Sequence, residues 1–243
     1  VLENNGIAIV LDKNKEKLRK LEKELKSNFF KKKFECIKCD ITKENEVKKI
    51  LKFIKKKYKK IDVLINNAAI DYTPQKSKKN IKDIRLETLN LKTFEKDLKV
   101  SLSGCVICSK YFGNEMGYTN GGIILNIASD LSLISPDQRL YKIKNFKNNP
   151  VKPISYSITK HGIIGLTKYL ATYWSDKNVR CNALAPGGID SGQSKTFKRK
   201  LSKLIPLGRM AHKKEYKETI LFMISDASSY MNGFTMVVDG GRT

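Results

Sequence analysis

The order of apolar and charged segments constrains the fold of this chain more than any other feature. Short, continuous apolar runs at 7–12, 61–65 and 179–188 alternate with longer segments in which apolar residues recur every three or four positions. Such runs suit strands buried on both faces of a parallel sheet, and the longer segments suit amphipathic helices that cover the sheet. The alternation predicts an α/β fold with a doubly wound parallel sheet.

The predicted elements follow one another without an internal repeat or a dividing linker. The strands are 7–12, 34–38, 61–65, 121–129, 179–188 and 234–241. The helices are 14–27, 42–58, 91–116, one that carries Tyr156 and Lys160 and ends near Trp174, and 213–225, with Asn14 and Thr42 as predicted caps of the first two. We therefore expect residues 1–243 to form one domain, large enough to bury a substantial core.

One helix carries a chemically suggestive pair, Tyr156 and Lys160, in the run Y-S-I-T-K. Residues four apart lie one turn from each other on the same helix face. A phenol has a pKa of about 10, and a neighbouring cation lowers it. The pair therefore predicts a proton-transfer device, although the same spacing is also typical of solvated and packed side chains.

Short motifs along the whole chain support the chemical interpretation. They are Asp12 at a strand end, Asp40-Ile41, Asn66-Asn67-Ala68-Ala69, Ser129, Tyr156-x-x-x-Lys160, Asn182, Pro186-Gly187-Gly188-Ile189 and Asp239-Gly240-Gly241. In this order and on these elements, the chain resembles the short-chain dehydrogenases/reductases. The resemblance implies a Rossmann-like oxidoreductase that interconverts an alcohol and a ketone with a nicotinamide cofactor.

The predicted catalytic residues are Ser129, Tyr156 and Lys160. Ketone reduction builds negative charge on oxygen, so a proton donor must lie within hydrogen-bond reach, and Tyr156 is the candidate for this general acid/base. Ser129, at the end of a predicted strand, would stabilise the developing oxyanion. The resemblance implies that Lys160 also holds the hydroxyls of the nicotinamide ribose.

Asp12 favours NAD(H) over NADP(H). An acid at the end of the second strand of this fold accepts hydrogen bonds from the adenosine ribose and repels a 2′-phosphate. Two observations leave alternatives open. Lys13, the next residue, is of a type that attracts a 2′-phosphate. Asp12 is also a suitable cap for the helix that follows. The resemblance adds these cofactor-binding residues: Asp40 and Ile41 beside the adenine, Asn67, Ala68 and Ala69 beside the adenosine ribose, and Tyr156, Lys160, Gly187, Ile189 and Ser191 at the nicotinamide end.

Two departures from the family pattern affect the site. Ser101 stands where the family has an asparagine that holds a water of the proton relay, and its hydroxyl either replaces that amide or belongs to an ordinary helix residue. Ser129 and Tyr156 are 27 positions apart, about twice the family spacing. The extra segment carries side chains that suit a sugar or sugar phosphate: Asp137, Gln138, Arg139 and Tyr141. Alternatively, the segment forms an oligomer contact or a flexible insertion. Together with residues 205–211 and 225–233, this segment resembles the branch of the family associated with flagellin glycans and nonulosonic acids.

A third departure is at the start of the chain. Residues 1–6 are typical of the end of a helix that stops at Gly6. The first strand and the glycine-rich loop that holds the pyrophosphate are missing from the printed sequence. We expect about 25–30 further residues before Val1, with a strand between 7–12 and 61–65. Because each orphaned backbone group costs about 1–3 kcal/mol, the chain as printed is expected neither to fold stably nor to bind NAD tightly.

Composition narrows the function classes. The net charge of +24 attracts polyanions, but the lysines are spread over several helices without a nucleic-acid-binding motif, so we expect no specific nucleic acid partner. The basic segment 190–205 is either a lid for an anionic substrate or a solvated loop. The pairs Cys36/Cys39 and Cys105/Cys108 resemble zinc ligands in spacing, but their strand and helix settings favour reduced core thiols and no metal.

Three functions remain compatible with the sequence. The leading hypothesis is an NAD(H)-dependent oxidoreductase acting on a small polar metabolite, anionic or sugar-like. The alternatives are a 3-oxoacyl-carrier-protein reductase and an inactive basic binding protein on the same fold. With no apolar run long enough to span a membrane and no secretory signal, we expect a cytoplasmic homo-oligomer, a dimer or a tetramer.

Overall fold

The computed structural model of the protein describes residues 1–28, 33–71, 84–143 and 149–243. Its strands and α-helices alternate along the chain, as the sequence predicts. They are β1 (Ala8–Asp12), α1 (Lys15–Asn28), β2 (Phe34–Lys38), α2 (Glu44–Tyr58), β3 (Val63–Asn66), α3 (91–118), β4 (Gly122–Ile127), α4 (Ile154–Tyr173), β5 (Val179–Pro186), α5 (Lys195–Ser202), α6 (Lys217–Met223) and β6 (Thr235–Val238). Helix α3 is α-helical at Leu91–Leu98, Gly104–Cys108 and Asn114–Tyr118 and π-helical between them, at Lys99–Ser103 and Ser109–Gly113.

The described strands form two parallel sheets. β1 pairs with β2, and β3, β4, β5 and β6 form a four-stranded sheet in that order. Helix α2 holds the two sheets side by side, because Ile50 and Ile54 pack in one cluster with Leu11 of β1 and Leu64 of β3. Within the described ranges, β1 and β3 are not paired with each other.

Helices cover both faces of the four-stranded sheet. Ile124 of β4 faces α4 and packs near Leu170 and Trp174. The next residue, Leu125, faces the opposite side and packs with Tyr216 and Met223, the second of which lies on α6. Since successive strand residues point to opposite faces, this packing confirms the doubly wound architecture.

The ends of several elements differ from the prediction. Asn14 caps α1 as expected, since its Oδ1 accepts from the amides of Glu16 and Lys17 at 3.0 Å. Thr42 does not cap α2, because its hydroxyl donates to Asp40 Oδ1 at 2.8 Å and Lys43 is the cap position.

Two further boundaries move for local reasons. β4 ends at Ile127 rather than at residue 129, because Ser129 caps a 3₁₀ turn, Asp130–Ser132. The predicted helix 213–225 begins as a 3₁₀ turn, Lys213–Tyr216, before α6. The basic segment 190–205 contains α5, one of the lysine-bearing amphipathic helices that the sequence predicts.

Thiols and apolar helices complete the description. All five cysteines are free, and four of them are buried. In the ranges described, no three or more histidine, cysteine or acidic side chains cluster as a metal ion would require. None of the helices in those same ranges combines the length and apolarity needed to cross a membrane. Residues 144–148, part of the long segment between Ser129 and Tyr156, lie outside the described residues.

Candidate active site

Helix α4 is anchored against α3 where it begins. Ser155, in the first turn of α4, donates to Asp97 Oδ2 of α3 at 2.6 Å, and both side chains are buried. Pro153 is the N-cap residue, and its fixed φ suits the start of a helix. This contact sets the position of Tyr156, which follows Ser155 directly.

The structure brings Ser129, Tyr156 and Lys160 together at the carboxyl end of β4. The Lys160 ammonium donates to the carbonyl of Ile127, the last residue of β4, at 2.7 Å, and lies 5.8 Å from the centroid of the Tyr156 ring. The Ser129 hydroxyl lies close enough to the Tyr156 phenol to affect its pKa. Residues from β4 and α4 therefore converge as the motif comparison predicts.

Burial dominates the protonation of this group. Burial raises the pKa of Tyr156 above its ordinary value, the carboxylates of Asp71 and Asp130 raise it further, and the hydroxyl of Ser129 lowers it. Burial also lowers the pKa of Lys160. The expected lowering of the tyrosine pKa is therefore reversed in this structure, because desolvation of the phenolate outweighs the favourable contacts.

Lys152 is a member of the site that the sequence analysis missed. Its ammonium lies 3.6 Å from the centroid of the Tyr156 ring and 2.5 Å from Asp71 Oδ1. The signal was present in the sequence, since Lys152, Tyr156 and Lys160 are spaced K-x-x-x-Y-x-x-x-K. Helical spacing alone does not predict this contact, because Lys152 precedes α4.

A second missed feature is a buried ion pair behind Ser129. The Ser129 hydroxyl donates to Asp130 Oδ1 at 2.8 Å, and Arg242 Nη1 donates to Asp130 Oδ2 at 2.5 Å. The Arg242 and Asp130 side chains are 7% and 5% exposed. No sequence signal links residues 112 positions apart, so only the fold could show this pair.

The residues predicted for the adenosine end of the cofactor lie at or just after the ends of two strands. Asp12 ends β1, and Asp40 and Ile41 follow β2. The Asp12 carboxylate is half-buried at the end of β1. Its Oδ1 accepts from the amide of Asn14 at 2.7 Å and so also shapes the turn into α1. Burial opposes ionisation of Asp40, but two hydrogen bonds from Thr42 bring its pKa below the usual value. Ile41 packs against α3, where a side-chain carbon on Gly104 would lie 2.5 Å from Ile41 Cδ1.

The run after β3 divides into a buried and an exposed part. Asn66 is buried and donates to Asn126 Oδ1 at 2.8 Å, so it stabilises the sheet. Asn67, Ala68 and Ala69 are exposed beyond the carboxyl end of β3. Ser101 is buried in a π-helical turn, and its Oγ accepts from the amide of Ile70 at 3.0 Å, so it holds this run in place.

The residues predicted for the nicotinamide end follow β5. Gly187 is required by packing, because a Cβ there would lie 2.7 Å from Asp239 Cα. Ile189 pairs with Ala211 in an isolated bridge. Ser191 is exposed and accepts from Gln193 Nε2 at 3.1 Å.

The donor set fits the two ribose ends of a nicotinamide dinucleotide. Asp12, the last residue of β1, has a half-buried carboxylate, and the Lys160 ammonium lies at the carboxyl end of β4. Carboxyl ends of parallel strands are where α/β folds bind such ligands. Small, exposed residues after β3 leave the backbone open to close approach there.

The polar side chains expected to bind a sugar are engaged within the protein. Gln138 accepts from the Lys152 amide at 2.9 Å and donates to the Lys152 carbonyl at 3.0 Å. Arg139 pairs with Asp137, and the buried Tyr141 contacts Phe197 of α5. In this structure, these groups tie the long segment to the site and to α5.

Comparison with known proteins gives a consistent result. Residues 1–243 match a family model described as Enoyl-(Acyl carrier protein) reductase. The NAD-dependent glycerol dehydrogenase of Listeria innocua is 30% identical over 213 residues, which cover 86% of this chain and 74% of that protein. Post-translational flagellin modification protein A of Campylobacter coli is 30% identical over 242 residues, 99% of this chain and 90% of that protein. A solved short-chain dehydrogenase of Leptospira borgpetersenii with bound NAD+ has a TM-score of 0.80 at 28% identity, over 98% of this chain and 93% of that one.

Proposed function

This chain belongs to the short-chain dehydrogenase/reductase family and is an NAD(P)-dependent oxidoreductase, and we propose that it interconverts an alcohol and a ketone on a polar metabolite. One observation carries the proposal. Tyr156 and Lys160 of α4 lie beside Ser129 at the carboxyl end of β4. A substrate carbonyl bound there would meet a proton donor, a cation and a hydrogen-bonding hydroxyl. The proposed unit is a single domain, residues 1–243.

Tyr156 is the proposed general acid for reduction and general base for oxidation. Because burial raises its pKa, the phenol stays protonated at neutral pH, which is the state a proton donor requires. Ser129 would stabilise charge on the substrate oxygen by turning its hydroxyl proton from Asp130 to that oxygen. When bound, the nicotinamide supplies or accepts the hydride.

NAD(H) is the proposed cofactor. The Asp12 carboxylate would accept hydrogen bonds from the adenosine ribose and repel a 2′-phosphate. Lys160 would hold the nicotinamide ribose. The remaining contacts proposed come from Asp40, Ile41, Asn67, Ala68, Ala69, Gly187, Ile189 and Ser191.

A polyol or sugar-like substrate has the best support. The similar protein of Listeria innocua is named as a glycerol dehydrogenase. Two basic groups, the ammoniums of Lys152 and Lys160, lie beside Tyr156 in the proposed site. An anionic sugar derivative would suit such charges.

A substrate panel tests the proposal. Dihydroxyacetone, a longer ketose and a 3-oxoacyl thioester are each offered with NADH and with NADPH. We expect turnover of the polar ketones with NADH, and a loss of about 10²–10⁴-fold in Tyr156→Phe. Tyr169→Phe, on an exposed part of the same helix, is the matched control and should keep activity. Full activity of Tyr156→Phe, or turnover of the 3-oxoacyl thioester but of neither polar ketone, would overturn the proposal.

We also propose that the protein is a cytoplasmic homo-oligomer, a dimer or a tetramer. Apolar side chains on α3 and α4 are exposed, among them Val106, Ile158 and the stacked pair Tyr169 and Tyr173. Covering such a surface would favour association. Light scattering on the purified protein measures its mass, and a monomer at micromolar concentration would contradict this part of the proposal.

A further inference from the structure

A lysine held against the face of Tyr156 is the least expected contact in the site. The Lys152 ammonium lies 3.6 Å from the centroid of the ring, closer than the Lys160 ammonium at 5.8 Å. The Lys152 side chain is only 9% exposed. Burying an ammonium is costly unless other groups compensate, so its position requires an explanation.

The backbone and one acid fix this lysine in place. Gln138 bonds both the amide and the carbonyl of Lys152, at 2.9 and 3.0 Å, and Pro153 restricts the chain directly after it. Asp71, after β3, pairs with the ammonium at 2.5 Å but is itself 56% exposed. The buried face of the ammonium is therefore directed at the aromatic ring and not only at its carboxylate partner.

A cation over a phenol ring favours the ionised ring. The neutral ring attracts an ammonium through its quadrupole. A phenolate carries a full negative charge and attracts the same ammonium more strongly, particularly away from water. We propose that Lys152 is a positioning residue of the active site, whose ammonium stabilises the phenolate left when Tyr156 gives up its proton, with Asp71 acting in the opposite sense.

The other groups that face Tyr156 come from three elements. Lys160 is on the same helix, Ser129 and Asp130 follow β4, and Tyr141 lies in the 3₁₀ turn that also carries Gln138. Asp130 is already paired with Arg242. Lys152 and Asp71 are thus an opposed pair of charges beside the ring, and removing either should shift its ionisation in a defined direction.

The test measures ionisation of Tyr156 directly. The protein is labelled with difluorotyrosine, whose phenol is more acidic than that of tyrosine, and fluorine NMR follows each ring during a pH titration. Tyr156→Phe assigns the signal. We expect Lys152→Met to move the Tyr156 midpoint up by about 1 pH unit and Asp71→Asn to move it down by a similar amount. Lys152→Arg should restore the parent midpoint.

Opposite signs separate the proposal from a structural role. Loss of packing alone would move the midpoint in the same direction in both variants, or not at all, and either result would overturn the proposal. Because Asp71 is largely exposed, its variant should fold even where Lys152→Met does not, and an unchanged midpoint in Asp71→Asn overturns the proposal by itself. The inference rests on the proposed role of Tyr156, but this readout needs neither cofactor nor turnover, so failure of the proposed function is detected separately by the substrate panel.

Discussion

Replacing Arg242 by methionine removes the cation of the buried ion pair behind Ser129. Methionine keeps much of the side-chain volume, so the main change is an uncompensated Asp130 carboxylate. Both side chains are less than 10% exposed, and solvent therefore screens little of the lost interaction. Breaking such a pair from one side costs about 3–5 kcal/mol. At roughly 2–4 °C per kcal/mol for a chain of this size, we expect the melting temperature to fall by about 10 °C.

The control is an exposed pair in the same protein. Arg139 and Asp137 are 81% and 22% exposed, and Arg139→Met should destabilise the protein far less than Arg242→Met because solvent screens this pair. The double variant Asp130→Asn with Arg242→Met should recover part of the lost stability, because no unpaired charge remains. Urea unfolding and thermal melting measure all variants. If Arg242→Met is no less stable than Arg139→Met, the pair does not stabilise the fold and the reasoning is refuted.

Three further predictions follow from protonation and charge. Since burial raises the pKa of Tyr156, alcohol oxidation should rise about tenfold per pH unit between about pH 7 and pH 9, while ketone reduction stays nearly constant, as initial rates at saturating cofactor will show. Asp12→Ser keeps an acceptor for the Asn14 amide but removes the charge, and should raise the NADPH/NADH ratio of kcat/KM about tenfold, or about 1.4 kcal/mol. Near pH 8 a thiol reagent should label at most one of five cysteines in the folded protein, the half-buried Cys36, because the other four are buried. Burial raises all five thiol pKa values, to about 11 for Cys39 and Cys105 and to about 12 for Cys108 and Cys181.

Each of these has a control and a contrary outcome. An oxidation rate that reaches its plateau below pH 8 would show that the tyrosine pKa is not raised during turnover. Glu16→Ser removes an exposed charge from α1 and controls for net charge in the cofactor experiment. If it changes the cofactor ratio as much as Asp12→Ser does, Asp12 has no specific role. Labelling of several thiols in folded protein would contradict the assigned burial, and the unfolded chain supplies the full count.

Periodicity predicted most of the architecture because burial repeats along each element. The order and pattern of apolar residues located all six described strands, and the packing of Ile124 and Leu125 on opposite faces confirmed that helices cover both sides. Boundaries were less accurate where side chains compete with regular structure. Thr42 bonds Asp40 instead of capping α2, and Ser129 turns the chain before the predicted end of β4.

The sequence by itself determined the fold class, the family and the convergence of Tyr156, Lys160 and Ser129, because these depend on local spacing and on the order of elements. Only the tertiary structure placed the Lys152 ammonium over the Tyr156 ring and joined Arg242 to Asp130 behind Ser129. It also reversed the expected direction of the Tyr156 pKa. The physical reason is the same in each case. Desolvation and the pairing of charges depend on which distant segments surround a group, and linear spacing carries no record of that environment.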